Sequence, residues 1–153
     1  MRPKKHTAET LGPFEERFNT QIRCSDLFDP TIYNMTYYTA MIETTIHNDF
    51  AMFSEKEAKP IVAQRPFIIF GARGQLKAFR SLVFKTFDDV IDESYDIIDD
   101  KKQRWYKALD SMWRLTKKDP IDVYDKLAHI LAHNKNHFEN YNWKRCLTWD
   151  SYQ

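Results

Sequence analysis

At 153 residues the chain fits one domain, long enough to bury roughly two thirds of its unfolded surface and to hold a core with neither disulfide nor metal. A hydrophobic share of 42%, with 15% aromatic residues, excludes a disordered chain, while a mean hydropathy of -0.65 implies a well-solvated surface. Formal net charge is +1, so no global field selects nucleic acid or an acidic membrane.

The start, MRPKKHTAETLGPF, has no apolar core and no signal-peptide pattern, and its basic cluster reads as a solvated terminus. Residues 1–34 are expected to be irregular, punctuated by Pro3, Gly12, Pro13 and Pro30, with one short helix starting at Pro13. The rest, 35–153, reads as one folded unit. The β-formers of YNMTYYTAMIETT predict a strand over 35–43, followed by a loop. Ser54 is expected to N-cap a helix from Glu55 to about Gln64. Glu57 stands at the capping-box spacing, and Pro60 is expected to kink the helix. The run PFIIFG predicts a short strand covered on both faces and ended by Gly71.

ARGQLKAFRSLVF sets Leu76, Phe79, Leu82 and Val83 on one helical face, and KTFDDVI is expected to form a third short strand or an extended turn. A helix follows over Lys101–Thr116, and Asp119-Pro120 caps another that runs to about His137. The tail YNWKRCLTWDSYQ is aromatic. This order of strands and helices is that of an α/β fold, a small or partial Rossmann-like parallel sheet with a helical carboxyl-terminal part. No apolar run approaches the ~18 residues of a membrane span. Cys24 and Cys146 lie far apart, neither a disulfide framework nor a metal spacing. They fit a reducing compartment, so the expected location is the cytoplasm, that of a host if the chain is viral.

In such sheets ligands sit beyond the carboxyl ends of the strands, where the loop 44–54 and the Gly71–Gly74 turn fall. A helix N-terminus presents unpaired N–H groups and the positive end of its dipole, a ready anion site. Lys56 would add a point charge for a phosphate. Glu55 is a double acceptor suited to the two hydroxyls of a ribose, and Ser54 could cap the helix or bond a phosphate. Arg73 is a further candidate for phosphate. The plain alternative is a well-capped helix beside solvated cations.

A longer string bears on that choice. Glu43-Thr44, Ser54-Glu55-Lys56, Lys59-Pro60, Pro66-Phe67-Ile68, Gly71, Lys85-Thr86-Phe87 and Asp92-Glu93-Ser94-Tyr95-Asp96 follow one another in order. This order, over roughly residues 40 to 138, resembles the carboxyl-terminal, donor-binding half of phage and bacterial GT-B-type glycosyltransferases. Fucosyltransferase-like enzymes carry a similar Ser/Thr-Glu-Lys at their donor site. The resemblance implies that Glu55 binds a ribose and that Lys56 approaches a pyrophosphate. Val83 departs from it, standing where a Gly is usual, and is expected to relax the turn. The second departure is the short irregular segment where a whole acceptor domain should precede. The chain is therefore expected to be a split subunit, a remnant, or a donor-type fold reused for binding.

The expected substrate-binding set is Ser54, Glu55, Lys56, Lys59 and Arg73, with no catalytic residue assigned. No metal and no cofactor are expected, the nucleotide sugar being substrate. A second subunit or a homo-oligomer is the expected protein partner, with no membrane and no strong nucleic-acid signal. The alternative is a non-catalytic interaction or assembly module. Asp92, Glu93, Asp96, Asp99 and Asp100 could hold a divalent ion but read better as a turn that caps the Lys101 helix. His129, His133 and His137 recur on one helical face, compatible with zinc but better read as a solvated or interface face. Tyr95 reads as packed. Trp105 and Trp113 are expected on a similar face, as core or, if exposed, as a partner surface.

Overall fold

The computed structural model describes residues 30–43 and 55–141. The short helix expected from Pro13, the loop 44–54 with its Ser54 cap, both cysteines and the tail after Tyr141 lie outside the described residues. A short helix α1 (Pro30–Asn34) occupies the end of the segment expected to be irregular. Strand β1 (Thr39–Ile42) is shorter than 35–43 because Met35 N–H and the Thr36 hydroxyl still bond back to carbonyls of α1. Helix α2 (Glu55–Val62) and strand β2 (Phe67–Phe70) follow. The strands pair in parallel, Thr39 opposite Phe67 and Ile42 opposite Phe70. Helices α3 (Gln75–Ser81), α4 (Lys101–Leu115) and α5 (Pro120–Asn140) complete a mixed α/β fold with a small, partial Rossmann-like sheet. Among the described residues no helix is long and apolar enough to cross a membrane.

The core is built on β2, whose four residues are all buried. Alternation sends Phe67 to one face, where it meets Phe79 and Phe87 edge-on at 5.6 and 5.0 Å. Phe70 points to the other face and meets Trp105 of α4 at 5.2 Å. That double cover is why the sequence here is an unbroken apolar run. On α4 the buried stripe is Arg104, Ala108, Ser111 and Leu115, at helical spacing. Asp100 caps this helix by accepting from Gln103 N–H, and Asp119 caps α5 by accepting from Ile121 N–H. Trp105 and Trp113 do not share a face. Eight residues at about 100° each leave them roughly 80° apart, so Trp105 is half-buried and Trp113 is exposed under Lys117.

Two helices end through residues at positive φ. Helix α2 tolerates Pro60 within it and closes in a Schellman motif. Arg65 N–H bonds Pro60 O at 2.8 Å, Gln64 N–H bonds Ile61 O at 3.0 Å, and Gln64 takes φ 53°. The helix therefore stops at Val62, short of Gln64. Helix α3 ends at Ser81, leaving Leu76 and Phe79 buried but Val83 exposed. Val83 occupies the position that a glycine usually fills after a helix, and it does so at φ 68°. The relaxed turn expected from Val is thus not what forms. The Phe79–Phe84 stack at 4.7 Å closes the chain around Val83 and holds it in the left-handed region.

Helix α5 clamps the same turn. Nε2 of His133 donates to Val83 O at 3.0 Å and Nε2 of His137 to Leu82 O at 2.7 Å. The Asn134 amide both donates to Lys85 O and accepts from Lys85 N–H, each at 2.8 Å. These bonds, with Arg80 on Thr86, use the polar groups of the Lys85–Ile91 segment, which forms a turn and no third strand. His133 and His137 thus serve the backbone, and His129 is exposed.

Val83 pays no burial return for its strain, being 62% exposed. Val83→Gly is expected to raise unfolding free energy by about 1 kcal/mol, the left-handed penalty less the entropy of glycine. Urea unfolding of the two proteins measures it, and an unchanged or lower midpoint would refute a strained turn.

Candidate functional site

The carboxyl ends of β1 and β2 meet the first turns of α2 and α3. Glu43 continues the ladder past β1 with its N–H on Phe70 O at 3.0 Å. Its side chain is buried and lies over Gly71, whose lack of a side chain makes the approach possible. A Cβ on Gly71 would stand 3.2 Å from Ile69 Cγ2 and 3.4 Å from Glu43 Cγ. Lys56, in the first turn of α2, reaches back over this end. Its Nζ lies 3.1 Å from Ile42 O and 3.5 Å from Glu43 Oε2. That second distance is long for a charge-assisted bond, which is usually 2.7–2.9 Å. The Lys56 side chain keeps 31% of its surface open. Glu43 Oε1 is buried with no hydrogen-bond partner.

Around this pair the polar groups are tied down. Buried Glu57 accepts from Gln75 Nε2 at 3.3 Å, joining the first turns of α2 and α3. Arg104 donates through Nε to Gly71 O at 3.1 Å and through Nη1 to Ile98 O and Asp99 O at 2.6 and 3.1 Å. The start of α3 is served by an anion of the chain itself. The Asp96 carboxylate accepts from Leu76 N–H at 2.8 Å and Lys77 N–H at 3.1 Å.

The sequence-predicted residues fare unequally. Lys56 stands at the ligand end of the sheet. Ser54 lies outside the described residues, and Glu55 enters as the first residue of α2. Lys59 is in the last turn of α2, about 4.5 Å further along the axis from Lys56. Arg73 is ion-paired with Asp99 at 2.8 Å, both well exposed. It lines a different feature, an open cleft of about 640 Å³ shared with Gly74, Lys77, Ala78, Ser81, Asp96 and Ile97. Sequence reasoning missed Glu43, Glu57, Gln75 and Arg104 as parts of the site. A charged residue in register with the buried stripe of α4 is the one signal that marks Arg104.

The acidic segment divides into separate structural tasks. Asp99 pairs with Arg73, Asp100 caps α4, and Glu93 holds Arg80 and accepts from Phe87 N–H at 2.7 Å. Asp92 pairs with Lys107 at 2.7 Å. Hydrogen bonds from Lys107 and from Ser94 hold its carboxyl well below the usual carboxylate range. Burial pushes the Tyr95 phenol far above its usual value, so it stays neutral and packed. Among the described residues no group of three His, Cys, Asp or Glu side chains is placed to hold a metal ion. No family model, no curated protein and no solved structure matches the chain.

Two stability measurements follow from this wiring. Asp96→Ala strips two N–H groups of a buried carboxylate and is expected to lower unfolding free energy by about 3 kcal/mol in urea titration. A loss under ~1 kcal/mol would mean that the start of α3 is satisfied otherwise. Asp92 has a depressed folded-state value, so its contribution is complete above the ordinary carboxylate range and lost as pH falls below it. Asp92→Asn is expected to be less stable than wild type at neutral pH, and the gap should narrow steadily as pH falls below the ordinary carboxylate range. Parallel curves across that range would refute the Lys107 pairing.

Proposed function

We propose that the chain is the nucleotide-sugar-binding half of a glycosyltransferase-like protein, with transfer completed by a partner domain or subunit. The observation that carries the reading is the position of Lys56. It sits on the first turn of α2, beyond the carboxyl end of β1, with its side chain partly open to solvent and its Nζ near Ile42 O and Glu43 Oε2. A diphosphate approaching the first turn of α2 meets that charge and the N–H groups of the helix start together. Glu55 adds an acceptor at the same turn in this reading, Ser54 a hydroxyl, and Arg73 and Lys59 remain outside the immediate contact. The proposal carries a cytoplasmic location, that of a host if the chain is viral.

A specific observation favours the second reading, an interaction or assembly module. Tyr106, Leu109 and Trp113 form an exposed stripe on the outer face of α4, with Lys102 and Lys117 lying over its rings at 6.0 and 3.9 Å. Tyrosine and tryptophan exposed in line on a helix suit a protein partner.

Calorimetric titration with UDP, GDP, CDP and their common hexose conjugates tests the first reading. Saturable binding of one of them is expected, weakened at least about tenfold in Lys56→Ala through loss of a charge-assisted bond. No binding to any by the folded protein overturns it. Sedimentation velocity on wild type and on Tyr106→Lys/Trp113→Lys tests the second, for which a concentration-dependent assembly lost in the double variant is the expected result.

A further inference from the structure

We infer that an amino-terminal segment of the chain, residues 13–22, docks as a helix on the face of β1 beside α4, setting Phe14, Phe18 and Ile22 against Ile42 and Leu109. The inference stands apart from the nucleotide-sugar reading and concerns the other face of the sheet.

Ala40 and Ile42 stand in register with Ile68 and Phe70, so these four side chains share one face of the sheet. Helix α4 covers the β2 half of that face, through Trp105 on Phe70. The β1 half stays open, with Ala40 exposed and Ile42 57% exposed. The pairing shows which flank of α4 turns toward β1. The N–H groups of Thr39 and Glu43 reach Pro66 O and Phe70 O, so Ile69 faces away from β1, and its N–H meets the Tyr95 phenol there. Lys107 and Ser111 of α4 bind Asp92, three residues before Tyr95, so their flank lies away from β1. The opposite flank carries Trp105, Leu109 and Met112, and Leu109 is 48% exposed. An apolar trough therefore runs between this flank and Ile42. Among the described residues no element covers it, although a parallel sheet is ordinarily covered on both faces.

Residues 13–22 fit the trough in spacing, length, charge and attachment. Phe14, Phe18 and Ile22 recur every four residues, the spacing of one helical face, with Pro13 suited to the first turn. Ten helical residues span about 15 Å and the four residues of β1 about 13 Å. Glu15 and Glu16 complement Lys102 and Lys117, which lie over Tyr106 and Trp113 at the rim. Residues 23–29 join the segment to α1 just before β1, a tether of up to about 25 Å. The chain after Tyr141 fits less well. Tyr141 is tied through His137, Phe84 and Phe79 to Phe67 on the opposite face, and Lys144 and Arg145 would meet Lys102 and Lys117 with like charge. A ten-residue helix is marginal alone in water, so this one depends on the trough.

Hydrogen exchange of the full chain, read by mass spectrometry, tests the docking. Amides of residues 15–22 are expected to exchange at least about tenfold more slowly than in an isolated peptide of the same sequence. Ile42→Lys/Leu109→Lys, both at exposed positions, is expected to abolish that protection while the amides of β2 stay protected. Exchange at the peptide's rate in wild type overturns the inference, and so does protection that survives the double substitution. Protection that appears only as protein concentration rises assigns the face to a second copy and overturns it as well. If Ile42→Lys/Leu109→Lys does not fold, Phe14→Lys/Phe18→Lys is compared with wild type by hydroxyl-radical footprinting. Oxidation of Met112 is expected to rise in that variant, and unchanged oxidation overturns the inference.

Discussion

The burial of Phe67–Phe70 on both faces is the constraint on which the rest depends. Each of these side chains stabilises the fold by roughly 1.5–3 kcal/mol only if it is covered from both sides. One face is covered by Phe79 and Phe87, the other by Trp105 of α4. The elements after β2 are therefore obliged to wrap back around it, and the turns between them must be tight. That obligation explains the left-handed Val83, the histidine and asparagine clamp from α5, and the Asp96 carboxylate at the start of α3.

Arg104 extends the same logic to the ligand end. Its guanidinium is buried, and its charge is met by carbonyls of Gly71, Ile98 and Asp99. A buried cation with its donors used in this way fixes the chain leaving β2 against the start of α4. Gly71 is held there, and Glu43 rests on Gly71. The carboxylate is thus positioned by a relay of packing and backbone bonds that begins in a helix sixty residues away in sequence, which is why no local motif announces it.

What was legible in the sequence was what depends on short spacing. The apolar run at β2, the caps Asp100 and Asp119, and the periodicity of α4 and α5 are all local patterns, and all formed. For Lys85–Ile91 the sequence left a short strand and an extended turn both open, because the choice is decided by Asn134 and Arg80 rather than by the segment's own residues. Val83 misled for a related reason. A β-branched residue argues against positive φ in isolation, and the Phe79–Phe84 stack overrides that preference. At the site, Lys56 was legible from its place at a helix start, but its contact with Glu43 spans residues 43 and 56 and depends on the strand pairing.

The pairing also gives Lys56 a task in the sheet itself. Thr39 and Glu43 direct their N–H groups to β2, so by alternation the main-chain groups of Ile42 face away from β2. Lys56 Nζ on Ile42 O therefore serves a carbonyl on the side of β1 that β2 leaves, where, among the described residues, no strand pairs. A ligand phosphate drawing the ammonium outward would uncover that carbonyl, and the long contact to Glu43 would lengthen further.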